Sequence, residues 1–249
     1  RTVLGEMKAV GLKATEQGPV GYLGNTPQEV SSVANEFGLP IVGAFVPLVM
    51  HDLAQRDAMR KAASFSANLL SETGKGFFIT AVVVDEGWGK RFKLSDAQWQ
   101  AMFDGFKEID EICASYGIRQ VLHPHLNTLV ETQDDVNRVV AGSNVRWLLD
   151  TGHMLIGGTD PVKFARENFS RIDHFHVKST LRIVHPSHVH PKPLRVHRSL
   201  VSMVCGHHLV MSLELPLRSQ APHRSKAILT SQTQSPLLVL MARCLLMDV

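Results

Sequence analysis

Along residues 1–178, apolar runs of strand length alternate with amphipathic stretches that open on capping residues. Leu12–Glu16 reads as a strand and is followed by a Gly/Pro loop. Thr26, Pro27 and Glu29 then open a helix: Thr26 caps it, Pro27 suits the first turn and Glu29 completes a capping box. Gly38 stops that helix, Ile41–Val49 is the next strand, and Leu53–Ser71 is a long helix ending near Gly74. Phe77–Val84 is apolar enough to be buried on both faces, as parallel strands are. Ser95 and Gln98 open a second long helix that Gly117 terminates. Ile118–His125, Val145–Asp150 and Ile172–Val177 read as strands, with helices over Gln133–Val140 and Pro161–Asn168 between them. A helical stretch, Thr2–Val10, precedes the first strand.

Strands alternating with helices at this spacing predict an α/β chain, a (β/α)8 TIM barrel. Six strands fall within residues 1–178, so one is expected before Arg1 and an eighth past residue 178. A doubly wound open sheet is the competing architecture. It lacks its usual sequence marks: Gly18, Gly21 and Gly24 do not form a GxGxxG turn, and there is no P-loop.

The alternation stops at Ser179. Residues 179–249 hold one glycine, seven histidines, six prolines and only two acidic residues, with no traceable βα unit. The net charge of +3 therefore conceals −3 over residues 1–178 and +6 beyond. The chain divides into a barrel domain, 1–178, and a tail, 179–249, that is expected to be aberrant: a frameshifted translation or a poorly ordered segment. A basic arm for nucleic acid is the other reading of that charge. The tail carries no aromatic residues to interleave with bases, so no nucleic-acid partner is expected. Cys113, Cys205 and Cys244 form no paired spacing, which argues against a disulfide framework and a thiolate zinc site and fits a reducing, cytoplasmic setting. No run reaches the ~18–20 apolar residues of a membrane span, and Arg243 breaks the run Leu237–Leu246. Arg1 is not an initiator, so the natural start is expected upstream.

Ligand-type residues gather at three successive strand ends. His123 and His125 are two apart and share a face, Asp150 ends an apolar strand with His153 three residues on, and His174 and His176 again share a face ahead of Lys178. In a barrel these ends converge on one rim, where chemistry is sited. One carboxylate among several imidazoles gives a mixed O/N donor set, which suits Mn, Co, Fe or Zn better than Ca. Taken singly, each has a structural role open to it: Asp150 as a turn cap, His123 or His125 as barrel filling, Lys178 as a surface lysine.

These residues resemble a known family. Leu122–Thr128 with Glu131, Leu149–His153 with Gly157–Pro161, and Arg171–Lys178 are similar to the xylose isomerase-like barrels, within them to the inosose dehydratase and sugar phosphate isomerase/epimerase branch. Glu16–Leu23 and Phe45–Asp52 are similar to that branch's first loops. The resemblance spans residues 1–178 and implies isomerisation, epimerisation or dehydration of a keto-sugar or inositol-derived polyol through an enediolate. It also implies a divalent metal (Mn, Co, Mg or Zn) held by Glu, Asp, His and Glu from strands five to eight. Asp150 and His176 match the middle two ligands; His123, with His125 beside it, stands where the first Glu belongs, so either can be the donor. Glu214 is the only tail Glu that could supply the last. Glu16, His153 and Lys178 are the candidates for substrate contact or proton transfer. The implied partner is a small sugar or polyol, with a homo-oligomer allowed and no membrane. Two alternatives stand beside this: a metal phosphodiesterase of the endonuclease IV type, and a catalytically inactive, truncated barrel.

Overall fold

The structure, a computed structural model, describes residues 1–74, 76–178 and the backbone of 209–211. The expectations for Glu214 and for the rest of the tail lie outside the described residues. Helix α1 (Thr2–Ala9) leads into a short strand β1 (Thr15–Glu16), then α2 (Pro27–Phe37) and β2 (Ile41–Leu48). Helix α3 (Arg56–Thr73), β3 (Phe77–Val82), α4 (Asp96–Ser115), β4 (Arg119–Leu122), α5 (Gln133–Gly142) and β5 (Trp147–Asp150) continue the alternation. Two short helices, α6 (Thr151–Ile156) and α7 (Pro161–Asn168), precede β6 (Ile172–Val177). Strand β7 (Leu209–Met211) pairs antiparallel with β6.

Strands β1 to β6 pair in sequence order and all run parallel, the βα grammar of a barrel wall. Among the described residues these six strands and seven α-helices form an open, incomplete (β/α) barrel. The wall is curled. In a flat sheet β1 and β6 would stand about 24 Å apart, five strand spacings. Yet Glu16 on β1 hydrogen-bonds His174 and His176 on β6.

Local signals set the element ends. Thr26 and Glu29 form the capping box on α2, Gly38 closes it in the left-handed region at φ 63°, and Ser95 with Gln98 caps α4. Each such cap is worth about 1 kcal/mol. The strand boundaries are tighter than the hydrophobic runs. The run Leu12–Glu16 contributes only Thr15–Glu16, and β4 ends at Leu122, leaving His123 and His125 in the loop that follows. Leu53–Gln55 is a 3-10 turn capped by Asp52, and α3 runs on to Thr73.

The main core lies between strands and helices. Val46, Phe78, Val82, Leu122, Trp147 and Leu149 pack there against Met59, Ala63, Leu70, Met102 and Phe106. A smaller layer of Ile79, Val121 and Leu148, with Phe45 and Phe77 against it, fills the barrel interior. Side-chain parity carries this layer upward: Val121 and Leu148 face inward, so His123 and Asp150, two residues on, face the same way.

Candidate metal centre at the barrel rim

The β5–β6 ladder pairs Asp150 with His176, which brings two of the expected donors side by side. Asp150 is fully buried. Its Oδ1 accepts from the backbone N–H groups of Gly152 and His153 at 2.9 and 2.8 Å, capping α6. The turn-cap reading and the ligand reading of Asp150 thus use different oxygens. Oδ2 faces the interior and gathers cationic and N–H groups. Lys178 Nζ lies at 2.7 Å, His123 Nε2 at 3.1 Å, His176 Nδ1 at 3.4 Å and His153 Nε2 at 4.0 Å.

His176 bridges two carboxylates. Its Nε2 donates to Glu16 Oε1 at 2.7 Å while its Nδ1 faces Asp150. Burial opposes the imidazolium, but the charge of Glu16, the hydrogen bonds to Asp150 and Glu16, and the charge of Asp150 prevail and push His176 up to about 9. Burial likewise opposes ionisation of Asp150, and the hydrogen bonds from His123 and His176 outweigh it, holding the carboxyl well below its usual range. Glu16 follows the same pattern, with His176 and His174 overcoming burial to depress it. His123 goes the other way: burial pushes it down to about 3 despite the hydrogen bond to Asp150. Burial, with His125 next in size, pushes His153 far down as well.

Two three-residue sets have donor atoms within 4.8 Å of one another: His123, Asp150 and His176, and Glu16, His174 and His176. The clustered His, Asp and Glu side chains can therefore chelate a divalent cation. The donor set fits one. Three N–H donors converge on Asp150 Oδ2, so the site already concentrates positive charge on one carboxylate oxygen, with neutral His123 beside it.

The structure separates the two histidines that the sequence left equivalent. His123 joins Asp150 and His176, whereas His125 belongs to neither set. The His125 ring lies 3.8 Å from that of His153, its Nδ1 bonds Leu126 O, and Trp88 and Phe45 complete an aromatic rim. His153 stands beside the cluster, its Nδ1 accepting from Leu126 N–H at 3.4 Å. Lys178 is buried and not a surface lysine. Thr151 holds it: the Thr151 hydroxyl donates to the Lys178 carbonyl at 3.0 Å and accepts from its N–H at 2.8 Å. Gly152 makes room, since a Cβ there would lie 2.9 Å from Lys178 Cβ. His51, by contrast, packs on Phe92 and belongs to neither set.

Sequence reasoning did not assign a role to His174 or Thr151. The two-residue spacing from His176 was the available signal for His174, which meets the same Glu16 oxygen at 2.8 Å. Nothing local marks Thr151, whose partner lies 27 residues on.

A family profile described as Xylose isomerase-like TIM barrel matches residues 4–208, which extends past Lys178. Inosose dehydratase of Geobacillus kaustophilus is 29% identical over 191 residues, covering 71% of this chain and 60% of that protein. The rhizopine catabolism protein MocC of Rhizobium meliloti is 27% identical over 184 residues, covering 70% of this chain and 56% of that protein. The chain thus spans about 60% or less of the length of these two relatives. Among solved structures, 3-keto-D-glucoside 4-epimerase YcjR from E. coli superposes with a TM-score of 0.55 at 20% identity. That match covers 71% of this chain and 72% of that one, and shows the shared fold. No helix among the described residues is long and apolar enough to cross a membrane.

Proposed function

The chain belongs to the xylose isomerase-like TIM barrel family, and from that premise we propose that it acts on the carbon next to the carbonyl of a keto-sugar or keto-inositol, with Mn, Co, Mg or Zn as cofactor. Dehydration of an inosose-type polyol is the reaction favoured, because the relative described above is an inosose dehydratase; isomerisation or epimerisation begins with the same proton transfer. The observation that carries the reading is the convergence of His123, His176 and Lys178 on Asp150 Oδ2.

Asp150, His176 and His123 would hold the cation. When bound, it would supply Lewis-acid polarisation of the carbonyl and charge to offset the enediolate. Lys178 Nζ and a cation cannot both occupy Asp150 Oδ2 at close range. Lys178 is then the group left facing the lumen, and we assign it the transfer of the carbon-bound proton. In a dehydration Lys178, acting as the neutral amine, takes that proton, becomes the ammonium and returns the proton to the departing hydroxyl, so that water leaves and atoms balance. His153 is uncharged near neutral pH, and its Nδ1 accepts from Leu126, so its Nε2–H is the donor available to an oxygen that gains negative charge. The phosphodiesterase reading has less behind it: Asp85 Oδ1 accepts from Gly87 and Gly89 N–H in its own loop and joins neither donor set.

The test is solvent exchange. The Mn- or Co-loaded chain, incubated with inosose and with ketoses in D2O, is expected to place deuterium at the carbon next to the carbonyl. It is also expected to show the absorbance of a dehydrated dione with inosose. A stoichiometrically loaded chain that exchanges deuterium into no keto-polyol would overturn the reading.

A further inference from the structure

Glu16 and His174, which form the second donor set together with His176, have no part in the chemistry above. Glu16 reaches it from β1, at the opposite end of the six parallel strands from β6. A single oxygen, Oε1, takes both His174 Nε2 at 2.8 Å and His176 Nε2 at 2.7 Å. An ionised carboxylate only accepts, so both of these ring nitrogens must carry their protons. For His176 this fixes the other end of the ring: Nδ1, which faces Asp150 Oδ2 at 3.4 Å, is the nitrogen left to ligate. Two ring nitrogens on two carboxylates from different strands also set the plane of the imidazole.

We propose that Glu16 is a positioning residue for His176, holding its Nε2–H so that the Nδ1 lone pair is presented at the Asp150 side. A carboxylate behind a ligating histidine orients the ring and raises its basicity as a donor, and loss of such a partner commonly weakens metal binding by about 10- to 100-fold. Glu16 is in this assignment neither a ligand nor a proton carrier. His174 occupies the second lone pair of Oε1 and stacks its ring on Phe77 with centroids 5.0 Å apart, which steadies the carboxylate from the barrel floor.

The inference rests on the reading that Asp150 and His176 hold a cation, and the experiment separates the two. Histidine 15N shifts are measured on the full ion-free chain and on the Zn-loaded chain, and Zn and Co affinities and stoichiometries by calorimetry, for wild type, Glu16→Gln and His174→Phe. Wild type is expected to bind one ion per chain with His176 protonated at Nε2 in the loaded form. Glu16→Gln is expected to lose that single tautomer, the unpinned ring ligating through either nitrogen, and to bind the ion about 10- to 100-fold more weakly at unchanged stoichiometry. His174→Phe is expected to keep the tautomer and to stay within about threefold of wild-type affinity. Failure of wild type to bind an ion sinks the metal reading. Wild-type binding with an unchanged tautomer and affinity in Glu16→Gln sinks only the positioning role. A second ion that Glu16→Gln abolishes makes Glu16 a ligand and overturns it too. A folded His174→Phe that loses as much affinity as Glu16→Gln also refutes the assignment. Thermal melts check folding, and Glu16→Asp, which keeps the charge but shortens the reach, is expected to recover part of the affinity.

Discussion

The Lys178 ammonium lies 2.7 Å from Oδ2 of Asp150, both buried, on the same oxygen that faces His123 and His176. An ion pair out of water is retained only where each charge is answered, and removal of one partner strands the other. Here the lysine and an incoming cation answer the same charge, so they compete.

Lys178→Met removes that competitor. Cation affinity is expected to rise by about tenfold, since each 1.4 kcal/mol of relieved repulsion is a factor of ten, while deuterium exchange into a keto-polyol falls to background. Calorimetry and NMR on one sample read both effects. Weaker binding in the folded variant would show that Lys178 supports the site and does not compete for it.

Asp150 and Asp160 are matched as helix caps, on α6 and α7, but Asp150 is buried with its Oδ2 on Lys178, His123 and His176, whereas Asp160 is exposed. Alanine at either should cost about 1 kcal/mol for the cap. Asp150→Ala alone is expected to lose the bound ion, by mass spectrometry of metal content. Asp150→Asn preserves a capping oxygen and isolates the loss of charge. Equal metal content in Asp150→Ala and Asp160→Ala removes Asp150 from the ligand set.

The two histidines after β4 should behave differently. His123→Ala is expected to weaken Zn binding by at least about tenfold, and His125→Ala by less than about threefold, since only His123 lies with Asp150 and His176. Reversal of that order in a competition titration would assign the ligand to His125.

Stability and binding should depend on pH in opposite senses. His176 is raised from 6.5 to about 9 in the ion-free chain. Its contribution to stability is therefore fully present below its unfolded value and is lost as pH rises through about 9. The ion-free melting temperature should accordingly fall between those two values. An ion on Nδ1 must displace the proton there, so affinity should rise with pH up to about 9 with close to one proton released per ion near neutrality. Calorimetry in buffers of different ionisation enthalpy counts that proton. Release of none is incompatible with ligation through His176.

The elements, and the faces on which they present their side chains, follow from local pattern along the chain. Caps such as Thr26 with Glu29, and the two-residue period that sets His123 beside Val121 and Asp150 beside Leu148, are local, and a strand carries its parity with it. That is why the barrel class and three donor-bearing strand ends were legible from residues alone. Which donors meet is set by how the strands come together in space. Glu16 and His176 are 160 residues apart, and their contact depends on the curl of the wall, the sum of twist over five strand pairs. That His123 and not His125 lies within reach of Asp150 and His176 depends on the loop's path, because β4 ends at Leu122 and leaves both outside the ladder. Lys178 reads as a solvent-seeking residue until Thr151 and Gly152 draw its backbone and stem against Asp150. Each of these depends on lateral register and closure, which arise between strands and have no periodicity within any one of them.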